Sequence, residues 1–319
     1  MSDRSRPHAA GFILESVMPF RSGFVSIIGR PNAGKSTLLN ALVGEKLAIV
    51  TRKPQTTRNR IQGIVNVERK DKRLGGQIVL VDTPGVHKPI NSLNRRMMKE
   101  VYDALEGCDL LLLIVDATAR FGSGDQFVLD IAKKSGQPCF LLLNKIDSLE
   151  KQKLLPLIAE YKERHGFAEV IPISALKRDG LDMLLDAVVK ALPEGPRYFP
   201  KDQITDQPER FLVAELVREQ VILATEQEVP HATSVLIEQY EEGEKLTRIA
   251  AAIYCEREGQ KAILIGKQGG TLKKIGTAAR LQIEKRLNSK VFLELFVKVR
   301  PGWRDSRQFV EETNWRSSG

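Results

Sequence analysis

The chain contains one run whose residue types and spacing are suited to holding a triphosphate, Gly29-Arg30-Pro31-Asn32-Ala33-Gly34-Lys35-Ser36, followed by Thr37. It fits the phosphate-binding P-loop pattern G-x-x-x-x-G-K-[ST] without a mismatch. Glycines let the backbone close around phosphate oxygens and aim successive N–H groups at them. Lys35 is expected to reach the β- and γ-phosphates, and the Ser36 hydroxyl to bind Mg²⁺. The run predicts a nucleoside triphosphate site.

A second run, Asn144-Lys145-Ile146-Asp147, indicates which base this site accepts. A carboxylate at Asp147 can accept from both N1–H and the 2-amino group of guanine. Adenine has no donor at either place, so the carboxylate would be left unpaired. Asn144 is suited to the O6/N7 edge of the base and to tying this loop to the P-loop, and Lys145 can lay its stem along the base plane.

A third run, Ser174-Ala175-Leu176, follows the apolar segment at 170–173. The backbone N–H of Ala175 is placed to donate to guanine O6. Together the two later runs predict GTP and GDP, rather than ATP, as the ligands.

The run Asp82-Thr83-Pro84-Gly85 follows an apolar strand and predicts the magnesium side of the site. Asp82 is the type of carboxylate that holds Mg²⁺ through water, and the Gly85 N–H is expected to contact the γ-phosphate. Asp82 and Ser36 are thus two of the predicted metal ligands.

The third metal ligand is expected in the switch loop Gln55-Thr56-Thr57-Arg58. A threonine here completes the Mg²⁺ shell only when the γ-phosphate is present, so the loop is ordered by GTP and released on hydrolysis. The sequence does not decide between Thr56 and Thr57, and Thr57 is the favoured ligand.

The residue after the Asp82–Gly85 run is Val86, where Ras-like enzymes carry the glutamine that orients the attacking water. An apolar side chain cannot do this, so slow intrinsic hydrolysis is expected. The P-loop is similar to those of GTPases in which the asparagine at the Asn32 position is associated with K⁺, and such an ion would replace an arginine finger. The alternative is that Asn32 is only a turn residue. The predicted catalytic set is Asn32, Lys35, Thr57 and Gly85.

The elements that must position these residues alternate between apolar strands and helical segments up to about Leu192. This rhythm predicts an α/β fold, with a Ras-like parallel sheet flanked by helices. A break at 193–196 follows. The predicted organisation is a disordered arm at 1–20, a GTPase domain at 21–195, a linker at 196–209 and a second domain at 210–319 that ends in a helix.

The second domain has the order α-β-β-α-α-β, that of the α+β type II KH fold, and starts with an amphipathic helix from Arg210 to Glu226. Its Gly-rich loop, Gly266-Lys267-Gln268-Gly269, allows a nucleic-acid backbone to approach the main chain closely. Phosphate contacts are expected from Lys267 and from the following helix, at Lys273, Lys274 and Arg280. Single-stranded RNA is the favoured ligand, because duplex bases cannot be read in so shallow a groove.

Charge supports a nucleic-acid or acidic-lipid partner. The net charge is +9 over 319 residues. Residues 202–258 carry five Lys or Arg against thirteen Asp or Glu, net −8, whereas residues 261–307 carry twelve against three, net +9. Such segregation indicates a basic face backed by an acidic one. Trp303, in the basic part, is expected either to stack on a base or to pack.

Composition bounds the location. The three cysteines lack metal-ligand spacing and are expected to be reduced, as in the cytoplasm. The longest apolar run, at 110–115, is too short to span a bilayer. The stretch from Met1 to Phe20 does not have the pattern of a signal peptide. The expectation is a monomeric cytoplasmic protein whose basic surface is also suited to peripheral contact with an anionic membrane.

The motifs taken together, from the P-loop to the segment Val297-Lys298-Val299-Arg300-Pro301-Gly302-Trp303-Arg304-Asp305, resemble the Era family of bacterial GTPases over about residues 21–305. Der-type GTPases carry two P-loops, and MnmE-type GTPases carry an N-terminal folate-binding domain and a C-terminal cysteine, so both resemble this chain less. The resemblance implies binding to 16S rRNA near its 3′ end, assistance in 30S subunit assembly and peripheral attachment to the inner membrane. With the switch loop, it leads us to expect that GTP changes how the KH domain is presented to RNA.

Two alternative functions remain open on the residues alone. The first is a membrane-associated signalling GTPase whose basic residues meet anionic lipid. The second is an RNA chaperone that binds GTP with negligible turnover, which Val86 would explain.

Overall fold

Two sheets, each with its own helices, make up the computed structural model, which describes residues 20–51, 53, 56–68, 74–86 and 89–313. Residues 1–19, the bulk of the predicted N-terminal arm, and Gln55 lie outside the described residues.

The first sheet has six strands in the order β2-β3-β1-β4-β5-β6. Their bounds are β1 Arg21–Ile28, β2 Ile61–Val67, β3 Gly76–Asp82, β4 Leu110–Asp116, β5 Cys139–Asn144 and β6 Glu169–Pro172. Neighbouring strands are parallel except at the edge, where β2 runs antiparallel to β3. The predicted fold class is confirmed, with this one antiparallel strand added. β3 and β5 are buried throughout, which explains their continuous apolar runs.

The helices that cover the two faces of this sheet are α1 Lys35–Val43, α2 Ser92–Glu106, α3 Ser123–Ser135, α4 Leu154–Arg164 and α5 Leu181–Ala191. The apolar side chains of the strands divide into two core clusters. Because parallel strands end at one edge of a sheet, the loops that follow β1, β3 and β5 meet there. These loops carry the predicted nucleotide motifs.

The second unit consists of α6 Glu209–Ala224, β7 Ser234–Glu241, β8 Leu246–Cys255, α7 Glu258–Ile265, α8 Gly270–Leu287, β9 Lys290–Val299 and a short α9 Arg307–Glu312. Its sheet has the order β7-β8-β9, with β8 antiparallel to β7 and parallel to β9. This is the predicted KH arrangement.

Helix α6 differs from its prediction as an amphipathic helix. Eleven of the twelve residues from Phe211 to Ile222 are buried. The reason is its position between the two units: Phe211 and Leu212 belong to the core of the first, and Val213 and Val217 to that of the second. A helix buried on all sides has no continuous polar stripe.

Residues 197–205 run along the first domain. The Gln77 side chain accepts from the backbone N–H groups of Tyr198 and Phe199, at 2.8 and 3.0 Å. The Ile64 N–H donates to the Ile204 carbonyl at 2.8 Å. This segment is therefore tied to the sheet by hydrogen bonds, although its composition suggested a linker.

Trp303 packs rather than presenting its ring for stacking. It is fully buried, and its indole N–H donates to the Ala232 carbonyl at 2.8 Å. It clusters with Leu93 and Met97 of α2 and Phe309 of α9, so this small apolar core joins the two domains. All three cysteines are buried. No helix in the described part of the chain is both long and apolar enough to cross a membrane.

Candidate nucleotide and nucleic-acid sites

The P-loop connects the end of β1 to the start of α1 in a conformation that depends on glycine. Asn32 and Gly34 have φ values of 64° and 105°, in the left-handed region. A Cβ atom at Gly34 would lie 2.2 Å from the Asn144 side-chain nitrogen, so a larger residue would displace that side chain. Gly85 approaches the same loop, because a Cβ there would lie 2.9 Å from Pro31. The loops after β1, β3 and β5 are thus in direct contact.

Lys35 lies inside the loop. Its ammonium group donates to the carbonyls of Gly29 and Arg30 at 3.2 and 3.1 Å, and the side chain is buried. Burial lowers the pKa of Lys35, while the nearby Asp82 carboxylate opposes this shift. A buried ammonium held by two neutral carbonyls is suited to a polyanionic ligand, whose phosphate oxygens supply countercharge.

The predicted metal ligands converge. The Ser36 hydroxyl lies 2.7 Å from Asp82 Oδ2 and 2.8 Å from the Thr57 hydroxyl, which is itself 3.5 Å from Asp82 Oδ2. The Thr56 hydroxyl is directed elsewhere, to Thr51 Oγ1 at 2.9 Å and the Lys53 carbonyl at 2.8 Å. The geometry therefore favours Thr57 over Thr56.

Asp82 indicates that this cluster fits a cation. In the part of the chain that the structure describes, its Oδ1 atom is buried without a hydrogen-bond partner, and burial raises the pKa of its carboxyl to about 6. Two hydroxyls and a carboxylate are hard oxygen ligands of the kind that Mg²⁺ prefers. The residues present thus fit the predicted ion.

We expect the burial of Asp82 to appear in the pH dependence of stability. Its folded-state pKa of about 6 exceeds the usual value of about 3.9, so the folded state binds more protons than the unfolded state between these two pH values. The stability that comes from the neutral carboxyl is therefore present at low pH, and the free energy of unfolding falls as pH rises through 6. In EDTA without nucleotide, Asp82→Asn should gain about 3 kcal/mol of unfolding free energy relative to wild type between about pH 4 and pH 8. Urea titrations of both proteins over this pH range test the prediction. If the unfolding free energies of the two proteins changed in parallel with pH, the prediction would be contradicted.

The base end of the site is built from the loops after β5 and β6. Asp147 is exposed and accepts from the hydroxyls of Ser174 at 2.5 Å and Ser148 at 3.1 Å. These bonds, led by that from Ser174, lower the pKa of the Asp147 carboxyl and keep it an ionised acceptor. Lys145 is fixed by an ion pair with Asp116 at 2.6 Å.

Asn144 ties the base loop to the P-loop. Its side-chain nitrogen donates to the Ala33 carbonyl at 2.8 Å, and its oxygen accepts from the Ala175 N–H at 2.9 Å. The sequence predicted that this Ala175 N–H donates to guanine O6. In the structure this N–H donates to the Asn144 amide oxygen, and its bond to the base stays a prediction.

Two predicted binding residues direct their side chains away from the cavity. Arg30 forms an ion pair with Asp125 of α3 at 2.7 Å. Thr83 is fully buried, and its hydroxyl donates to the Ile27 carbonyl at 2.8 Å. Their side chains hold the two loops in place, which leaves the backbone as the part of each residue that suits a ligand.

The convergent motifs surround a cavity of about 760 Å³, within the usual range for ligand pockets. Its lining includes residues that sequence reasoning missed, among them Ile49, Val50, Thr51, Lys53 and Leu223. The first four come from the segment that leads into the switch loop, which has no distinctive pattern. Leu223 comes from α6 of the second domain, so no local signal could have identified it.

The Gly266–Gly269 loop joins α7 to α8. Gly266, Gln268 and Gly269 have φ values of 71°, 50° and 76°. A Cβ at Gly266 would lie 2.2 Å from the Thr271 hydroxyl, whereas a Cβ at Gly269 would meet open space. The first glycine is therefore required by the loop itself, and the second leaves the surface open to a ligand.

The predicted phosphate-binding residues differ in availability. Lys267, Lys273 and Lys274 are exposed and, among the described residues, have no ion-pair partner. Arg280 is half-buried and paired with Glu284 at 3.0 Å. This pairing makes Arg280 the weakest of the four candidates, because its charge is already partly neutralised.

These features define a P-loop GTPase joined to a KH domain, and comparisons with known proteins agree. Residues 24–145 match the family described as 50S ribosome-binding GTPase, and residues 228–304 match the KH domain. GTPase Era of Geobacter metallireducens is 52% identical over 299 residues, covering 93% of this chain and 98% of the relative. GTPase Era of Syntrophus aciditrophicus is 49% identical, covering 92% and 94%. The chain belongs to the Era family of GTPases.

Solved structures extend the agreement to three dimensions. A variant of Aquifex aeolicus Era bound to GDP and AlF4⁻ is 40% identical, with a TM-score of 0.86 over 91% of this chain and 97% of that one. Era in complex with MgGDPNP and nucleotides 1506–1542 of 16S ribosomal RNA is 39% identical, with a TM-score of 0.87 over the same shares. The similarity therefore spans both domains.

Proposed function

We propose that this protein is a GTP-dependent switch that binds single-stranded RNA near the 3′ end of 16S rRNA and assists 30S subunit assembly. The observation that carries the RNA part is the loop from Gly266 to Gly269, which places an open left-handed glycine among exposed lysines. Glycine there lets a nucleic-acid backbone approach the main chain, and the lysines supply phosphate contacts. The relative seen with a 16S rRNA fragment supports the same partner.

The nucleotide would be held by the P-loop backbone and Lys35 at its phosphates and by Asp147 at its base. Ser36, Thr57 and Asp82 would hold Mg²⁺, which neutralises phosphate charge when bound. Turnover by this chain alone should be slow, because Val86 is buried and apolar and orients no water.

We propose that binding of RNA raises the affinity of the protein for GTP, and that binding of GTP raises its affinity for RNA. If GTP raises affinity for RNA, RNA must raise affinity for GTP by the same factor. The test measures GTP turnover and RNA affinity in parallel, with an oligonucleotide carrying the 16S rRNA 3′ sequence. We expect tighter RNA binding with a GTP analogue than with GDP, and faster turnover with RNA. Equal RNA affinities in both nucleotide states would remove the coupling, and a lack of turnover with and without RNA would indicate an RNA chaperone that only binds GTP.

We also propose that K⁺ takes part, through Asn32. Turnover in KCl should exceed turnover in NaCl at equal ionic strength by about 10-fold, part of the roughly 10³–10⁵ that an arginine finger supplies. The matched variant is Asn32→Gly, because glycine keeps the left-handed backbone at φ 64° while removing the side-chain ligand. This variant should turn over equally in both salts. Equal wild-type rates in the two salts would exclude a role for the ion.

We also propose that the protein is monomeric and cytoplasmic. Contact of its basic surface with an anionic membrane is the second candidate role. The exposed lysines that suit RNA phosphates also suit lipid phosphates. RNA is preferred because lipid binding does not require the glycine conformation at Gly269. Variants of Gly269 that differ only in charge distinguish the two partners.

A further inference from the structure

The switch loop around Thr57 is held by the second domain as well as by its own. Before Thr57, the Lys53 ammonium donates to the carbonyls of Ile222, at 2.6 Å, and Thr225, at the end of α6. The last carbonyls of a helix lack partners within it and form its negative end, so a cation is favoured there. Lys53, which precedes the switch loop, is thereby fixed to the end of α6.

A second contact from α6 is closer to the metal cluster. The Arg218 guanidinium donates to the Thr56 carbonyl, and Glu215 fixes it through two bonds of 2.7 Å. Arg218 is only 3% exposed, so packing holds the group in place. The carbonyl it holds belongs to the peptide that joins Thr56 to Thr57. This bond therefore sets the peptide plane immediately before the switch threonine.

A third contact lies directly after Thr57. Arg58 donates to the Thr233 carbonyl at 2.6 Å and lies over the Trp303 ring, 5.7 Å from its centroid. Thr57 is thus bracketed on both sides by residues bonded to the second domain. Its own hydroxyl faces the GTPase domain, at Ser36 and Asp82.

We propose that Arg218, a residue of the second domain, is a positioning residue of the GTPase site. It holds the Thr56 carbonyl so that the Thr57 hydroxyl stays in place beside Ser36 and Asp82. The proposal rests on the proposed role of Thr57 as the switch ligand. Because that ligand serves only when the γ-phosphate is present, Arg218 should raise affinity for GTP and leave affinity for GDP unchanged.

A purely structural role for Arg218, as one more contact between domains, predicts a different result. Loss of a general domain contact would weaken both nucleotides together or neither. Lys46 provides the matched control, because it joins the first domain to α6 through Glu219 and its ammonium bonds neither switch threonine. Selectivity between GTP and GDP is therefore the informative measurement.

The test compares wild type, the double variant Glu215→Gln/Arg218→Gln and the control Lys46→Met. The double variant avoids leaving Glu215 as a lone buried charge. Dissociation constants for GDP and a non-hydrolysable GTP analogue are measured with saturating Mg²⁺ and without RNA, so the result is independent of RNA coupling. We expect affinity for the analogue to fall about tenfold or more in the double variant, with GDP affinity unchanged, since a charged hydrogen bond is lost. Lys46→Met should keep the wild-type ratio.

A second variant, Arg218→Lys, keeps a positive charge beside Glu215 but removes the guanidinium group that donates to both Glu215 and the Thr56 carbonyl. It keeps the test decisive if the double variant does not fold. It should also bind the GTP analogue less tightly at constant GDP affinity. Wild-type affinities in the folded variants, or parallel losses for GDP and the analogue, would overturn the proposal.

Discussion

Replacing Asp147 with asparagine should change the base that this GTPase accepts from guanine to xanthine. The carboxylate is exposed, ionised and bonded to Ser174, which suits it to accept from N1–H and the 2-amino group. Asparagine turns one acceptor into a donor, which opposes the 2-amino group but matches the carbonyl that xanthine carries at that position. With two charge-assisted bonds affected, GTP affinity should fall about 10²- to 10⁴-fold.

Nucleotide binding measured with GTP and with xanthosine triphosphate tests this exchange. Asp147→Asn should bind the xanthine nucleotide better than GTP, and wild type should show the opposite order. Asp116→Asn serves as the control, because Asp116 bonds to Lys145 and Thr118 and should not reverse the order. If Asp147→Asn weakened both nucleotides equally, Asp147 would support the loop without reading the base.

The nucleotide motifs could be predicted from sequence because each follows a strand whose position is fixed by burial. Apolar runs such as 110–115 are typical of central parallel strands, and the loops after such strands converge at one edge. The loops at this edge therefore bring the predicted nucleotide-binding residues close together, among them Lys35, Ser36, Asp82 and Asp147. The KH order was predictable for a related reason, since distinct turns at 241–244 and 266–269 separate its elements.

What could not be predicted depends on contacts between distant parts of the chain. Helix α6 looked amphipathic, yet both domains bury it. Leu223 reaches the nucleotide cavity from this helix, although its neighbours in sequence give no sign of a ligand. The choice between Thr56 and Thr57 also needed the structure, because two adjacent threonines are equivalent in a pattern and differ only in the direction of their hydroxyls.

Gly269 offers the most direct test of the RNA site, because a substitution there can change the charge of the loop without changing its shape. Its φ of 76° lies in the left-handed region that asparagine and aspartate tolerate, and a side chain there meets open space. Gly269→Asn and Gly269→Asp therefore share size and backbone strain and differ by one negative charge. Gly266 is unsuitable for this comparison, because any side chain there collides with Thr271.

The aspartate variant should bind a single-stranded oligonucleotide of the 16S rRNA 3′ sequence at least about 10-fold more weakly than the asparagine variant at low salt. The difference in RNA affinity between the two variants should be smaller at high salt, since screening reduces the repulsion between the carboxylate and the RNA phosphates. Gly136→Asn and Gly136→Asp form the control pair, because Gly136 has a φ of 68° and equally open space in the other domain. Binding of each variant to vesicles of anionic lipid is measured in parallel with RNA binding. Equal RNA affinities for the two Gly269 variants, with vesicle binding lost only in the aspartate variant, would assign the loop to the membrane instead.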